Sequence, residues 1–178
     1  SLEGVNPNEF EILLIATDRE IGLSHPAHWE NAVIYRPKSL VLGIGCDKGT
    51  VPDLVERGVL ALLAKQGLSP KSVKELATID VKKDEQALLA LSEKYGWPLR
   101  LYPAAQLDVV SGIQNPSEKV KQHVGSRGVS EPAALLAAGA DELLVPKQIY
   151  TEPGAGRSMT LAVARRAFVK RPMEVSRL

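Results

Sequence analysis

The clearest hydrophobic pattern is an apolar run over residues 39–44 that breaks into a glycine-rich turn and resumes as a helical stripe. The run reads as a buried strand. The stripe (Leu54, Val55, Val59, Leu60, Leu62 and Leu63) predicts an amphipathic helix over residues 51–66. Thr50 is placed to cap that helix, Pro52 suits its first turn, and Gly67 suits its end. A second unit comes next. Ser69-Pro70 is expected to open a short helix at 71–76, with Ser69 as its cap, before a brief strand at 77–79. A helix over 83–95, with Leu88, Leu89 and Leu91 inward, is expected to stop at Gly96. A strand at 98–102 and a short helix at 104–109 complete the alternation.

Farther on, residues 111–116 read as loop and 117–124 as helical. An alanine-rich helix over 130–138 is expected to be capped by Ser130 and stopped by Gly139. Two last strands, 142–145 and 160–164, flank a flexible loop at 152–157, so they predict an antiparallel hairpin. Before residue 39 lie two short apolar runs, 11–16 and 32–35, without an amphipathic helix. This opening part cannot close a core alone. Residues 1–38 are therefore read as the end of a preceding region, or as a strand pair docked on the domain after it. Residues 39–166 are read as that main domain and 167–178 as a basic tail. Ser1-Leu2 resembles an expression scar more than a natural start, and the chain is read as a fragment.

Strands alternating with helices predict an α/β fold. Three layers, α/β/α, would enclose a mainly parallel mixed sheet with a C-terminal antiparallel strand pair. Ligands of such sheets sit beyond the carboxyl ends of the strands. That places residues 43–50 and 78–85 on one rim.

Composition narrows the class. The chain has 178 residues, 44% of them hydrophobic, and a net charge of +1, so no global charge attracts nucleic acid. One cysteine excludes a disulfide framework, and a cytoplasmic location is expected. No apolar run reaches the roughly 18 residues of a membrane span. The three histidines are scattered, without metal-ligand spacing, so no protein-built metal site is expected.

The first turn contains Gly43, Gly45, Cys46, Asp47, Lys48, Gly49 and Thr50. Its glycines admit a ligand close to the backbone, and the helix start offers unpaired N–H groups to an anion. The spacing matches neither the phosphate loop nor G-x-G-x-x-G, and a tight turn without ligand remains the alternative. Cys46 has no neighbouring histidine base and reads as packing. The second turn holds Thr78, Asp80, Lys82, Lys83, Asp84 and Glu85. Asp80, at a strand end, is a candidate general base if partly desolvated; Asp84 and Glu85 suit the first turn of a helix. Asn115, Ser117, Ser130 and Glu131 mark two further helix starts, which read equally as capping boxes or carboxylate contacts. Lys147 is expected to leave the sheet beside the flexible loop, where it can pair with a ligand carboxylate or simply face water.

Five motifs in order resemble one family. They are Val41-Leu42-Gly43-Ile44-Gly45-Cys46-Asp47-Lys48-Gly49-Thr50, Ala77-Thr78-Ile79-Asp80-Val81-Lys82-Lys83-Asp84-Glu85, Asn115-Pro116-Ser117-Glu118, Gly128-Val129-Ser130-Glu131-Pro132-Ala133-Ala134 and Leu144-Val145-Pro146-Lys147. Together they are similar to the C-terminal domain of the cobalamin biosynthesis protein CbiG, which the stand-alone protein CobE shares. Residues 10–38 look like the end of the central region that precedes that domain. The resemblance implies work on the corrin ring: cobalt-precorrin-5A hydrolysis, in which a lactone opens and acetaldehyde leaves. A CobE-like, non-catalytic tetrapyrrole carrier is the other reading, and a nucleotide-binding domain a weaker third.

On this reading Asp80 activates water, backbone N–H groups at 45–50 hold the oxyanion, and Lys48, Lys82 and Lys147 bind carboxylates. No cofactor is expected on the protein itself, since cobalt arrives with the macrocycle. The expected partner is a cobalt-precorrin substrate, with other corrin-pathway enzymes as companions. A homodimer is compatible with the sequence; nucleic acid and membrane partners are not expected.

Overall fold

The computed structural model describes residues 6, 9–21, 30–110 and 128–166. Its main body is a mixed five-stranded sheet between two helical layers. The strands are β3 (Leu40–Cys46), β4 (Val73–Ile79), β5 (Leu99–Tyr102), β6 (Leu143–Thr151) and β7 (Ser158–Arg165). Their spatial order is β5-β4-β3-β7-β6. β3, β4 and β5 run parallel, while β7 is antiparallel to both β3 and β6. The expected three-layer α/β/α arrangement and C-terminal hairpin are both present.

β3 is hidden on both faces, which explains its unbroken apolar run. Leu40, Leu42 and Ile44 meet helices α1 (Pro52–Lys65) and α2 (Gln86–Tyr95) through Leu54, Val55, Leu63, Leu88 and Leu91. Val41 faces the opposite layer, built from α3 (Ala104–Asp108) and α4 (Ser130–Ala138). That layer packs small residues, Ala133, Ala134 and Ala138, on Ala162 and Ala164. Large aliphatics thus fill one side of the sheet, and alanines bring the other helix close.

Several local expectations are corrected. Residues 71–76 are not helical: a 3-10 turn spans Pro70–Ser72, and β4 already begins at Val73. The β4–α2 connection contains a second 3-10 turn, Asp80–Lys82, so α2 begins only at Gln86. Leu89 points outward; Ala87, Leu88 and Leu91 are the buried set. Thr50 does not cap α1, because Val51 holds the cap position and the Thr50 hydroxyl donates to the Asp47 carbonyl. Ser130 is the first residue of α4 rather than its cap. β6 runs on through Pro146 and Lys147 to Thr151, so Lys147 stays in the sheet.

The loop at 152–157 is fastened down. Glu152 receives a two-pronged bond from Arg57 and one from the Tyr150 hydroxyl, each at 2.8 Å. Arg157 donates to the Lys48 carbonyl. A loop held at both ends is no free lid. Gly67, Gly96 and Gly139 have positive φ at the helix ends, as expected.

Two short strands, β1 (Leu13–Ala16) and β2 (Ala32–Tyr35), form a separate parallel pair. They dock on the edge of the main domain. Asp18 accepts two bonds from Arg165 and one from Ser39, while its own carbonyl accepts Ser69 N–H. Arg165 therefore ends β7 as an anchor. Leu14, Val33 and Tyr35 remain exposed on the strand pair, as does Ile12 just before it.

Candidate functional site

The three parallel strands end on one rim. The β3–α1 and β4–α2 connections meet there, and the expected pairing of the two turns is present. Glu85 makes the join: one carboxylate oxygen accepts Gly49 N–H at 2.9 Å and the other faces Lys82 Nζ at 3.0 Å. Both side chains are mostly buried, with 8% of Glu85 and 14% of Lys82 exposed. Gly49 stands at φ +70, a left-handed value that favours glycine, with open space where a side chain would stand.

The first turn is braced from β7. Asp47 N–H donates to the Ser158 carbonyl, and the Asp47 carboxylate accepts both the N–H and the hydroxyl of Ser158. The turn is thus fixed on two sides, by Ser158 and by Glu85. Lys48 and Asp47 are exposed. Asp80 is also exposed, on the 3-10 turn after β4, where its carbonyl accepts Lys83 N–H. The partly desolvated setting expected for it is not what surrounds it. Cys46 is half-buried beside Lys82 and Glu85. Burial lifts its thiol to about 11, and Glu85 and Asp47 add to that rise against the pull of Lys82. It is a neutral thiol near pH 7, in keeping with a packing role.

Other expected contacts belong to the framework. Gly43 is buried in β3, and a Cβ there would lie 1.8 Å from the Ser130 carbonyl of α4. Glycine is needed at this position so that a helix backbone can touch the strand, not so that a ligand can. Gly45 is half-buried, and a Cβ on it would press on Thr160 Oγ1 at 2.7 Å. Thr78 is fully buried and donates to the Ile44 carbonyl at 2.6 Å. Thr50 is buried within its own turn. Ser130 is buried, and its hydroxyl makes no hydrogen bond among the described residues.

Glu131 is buried, and its carboxylate accepts Lys147 N–H at 2.9 Å. Strand pairing between β6 and β7 shifts register between Val145 and Gln148. Glu131 therefore serves a backbone donor at a bulge. Asn115 and Ser117 lie outside the described residues. The residues missed by sequence reasoning are Ser158 and Arg157, which brace the first turn from β7 and the loop before it. No local signal marks them, because their partners lie more than a hundred residues away.

Comparison with known proteins bears on this rim. The family model described as "Cobalamin synthesis G C-terminus" matches residues 40–164. A cobalt-precorrin-5A hydrolase of Priestia megaterium is 44% identical over 135 residues, which is 76% of this chain and 36% of that protein. The chain thus spans about a third of the length of that relative. Protein CobE of a Sinorhizobium species is 36% identical over 113 residues, 63% of this chain and 73% of that one. A crystal structure of CobE, described as a protein from the cobalamin (vitamin B12) biosynthetic pathway, superposes with a TM-score of 0.62 at 29% identity. It covers 71% of this chain and 90% of that one. The match takes in β3 to β7, and β1 and β2 lie before it.

Proposed function

Because this chain belongs to the cobalamin synthesis G C-terminus family, we propose that it acts at the cobalt-precorrin-5A hydrolase step of cobalamin biosynthesis and holds the macrocycle by its carboxylates on the rim. The carrying observation is the pair of turns joined through Gly49, Lys82 and Glu85. A precorrin is edged with acetate and propionate groups. A rim with exposed backbone at Gly49 and cations at Lys48, Lys82 and Lys83 suits such a guest. The substrate is the cobalt-precorrin, which brings its own cobalt.

For the chemistry, water adds to the lactone carbonyl and the ring C–O bond breaks, giving a carboxyl group and an alkoxide on the two-carbon unit. That oxygen becomes the aldehyde carbonyl as the carbon–carbon bond to the macrocycle breaks, and the proton taken from water passes to the macrocycle carbon. Asp80 is the proposed base because it is a carboxylate at the end of β4 and open to solvent and ligand alike. The bound macrocycle itself, lying over the rim, would supply the desolvation that the free setting of Asp80 lacks. The test is incubation of this chain with cobalt-precorrin-5A and assay of released acetaldehyde. Release by the wild type, falling at least about a hundredfold in Asp80→Asn, is the expected result. Undiminished release in Asp80→Asn removes that residue from the chemistry.

A second reading has its own support. The aligned part is 73% of CobE but only 36% of the Priestia hydrolase. On that reading the chain is a non-catalytic tetrapyrrole carrier, and binding of cobalt-precorrin-5A without any aldehyde decides for it.

A further inference from the structure

Glu85 occupies the place that a ligand carboxylate would take. One of its oxygens rests on a backbone N–H and the other on an ammonium, as an acetate or propionate would be held. Gly49 leaves open space beside that N–H. Glu85 also stands at the cap position of α2, yet its side chain makes no bond to that helix. A carboxylate at a helix start is favoured by the field of its positive end and by the free N–H groups of the first turn. The side chain is therefore drawn off an available partner. If displaced, it has a favourable place to go within its own reach, so exchange leaves no charge stranded.

From this we infer that Gly49 N–H and the Lys82 ammonium form a carboxylate-binding site, that Glu85 fills it in the free protein, and that an acetate or propionate group of the tetrapyrrole takes its place while Glu85 turns to cap α2. The inference rests on the reading of the rim as a tetrapyrrole site. It adds which atoms hold one carboxylate and which side chain competes with it. An occupied site lowers apparent affinity by the fraction of time it is filled. Removing the competitor must then tighten binding, the reverse of what loss of an ordinary contact residue does.

Uroporphyrin I, a tetrapyrrole with eight acetate and propionate carboxylates, serves as the probe, titrated by absorbance into the whole chain. Glu85→Gln and Glu85→Ser are expected to bind about three- to tenfold tighter than wild type, and Lys82→Met about tenfold weaker. In wild-type protein the Gly49 amide resonance is expected to shift as the probe is added. Unchanged or weaker binding by both Glu85 variants, with a stationary Gly49 amide, overturns the exchange while leaving the rim reading in place. Absence of binding by the wild type and every variant overturns both. Should the Glu85 variants fail to fold, the Gly49 amide of the wild type decides alone: a shift at saturation upholds the site and a fixed resonance sinks it.

Discussion

Cys46 sits among the charges of the rim, yet its surroundings keep it inert. Its thiol is raised from an ordinary 9.0 to about 11, first by burial and then by Glu85 and Asp47. The thiolate is the reactive form, so alkylation by iodoacetamide at pH 8 should run roughly a hundredfold slower than for a free thiol. The rate should still be climbing at pH 10. A pH profile of alkylation checks this, and fast labelling that levels off below pH 9 would refute it. Gly43 shows what residue-level reading reaches and what it does not. The sequence marks it as a place where a side chain is unwelcome. The reason, a helix backbone supplied by Ser130 and Ala134, is some ninety residues away and leaves no local trace. Thr78 has the same history, since a hydroxyl at a strand end reads as a ligand group until the Ile44 carbonyl is seen to hold it.

Elements are legible wherever period and punctuation agree. The α1 stripe and its Pro52 start, the glycine stops and the hairpin all obey local rules. β4 does not, because Val73, Lys74, Glu75 and Leu76 fit a helical turn as well as a strand, and pairing with β3 and β5 decides between them. Glu75 is buried there with Arg100 and Lys74 as its ion-pair partners. Local rules also cut β6 short at Pro146, since proline ends most central strands. β6 lies at the sheet edge, where proline and a bulge are tolerated. The carboxylate of Glu131 makes that bulge self-sufficient. Glu131→Ala should leave Lys147 N–H without this acceptor and lower stability by about 1–3 kcal/mol. Urea unfolding measures the loss, and hydrogen exchange should quicken at Lys147 and Gln148 ahead of β3. Unaltered exchange at those two amides would refute the assignment.

At the scale of the molecule, Asp18 and Arg165 join the strand pair β1–β2 to the sheet. Burial alone would raise the Asp18 carboxyl, but bonds from Arg165 and Ser39 outweigh it and hold it below its ordinary 3.8. A lowered carboxylate contributes stability above its unfolded value and loses it as pH falls through the folded one. The junction should therefore hold at neutral pH and loosen only below about pH 4. Arg165→Met removes the partner at every pH. It should cost about 1–3 kcal/mol and speed limited proteolysis between residues 17 and 38 at pH 7. Equal cleavage of both proteins would show that the strand pair is held elsewhere. The order β5-β4-β3-β7-β6 carries a further consequence, for synthesis. β3 begins at Leu40, and its second neighbour ends at Arg165. Until nearly the whole domain has left the ribosome, one edge of β3 has no strand beside it. Helices α1 and α2 can gather on β3 and β4 early, but the sheet cannot complete itself. The closing step joins the last strand to the first of the domain, so the nascent domain carries an open β3 edge until its last strand has been made.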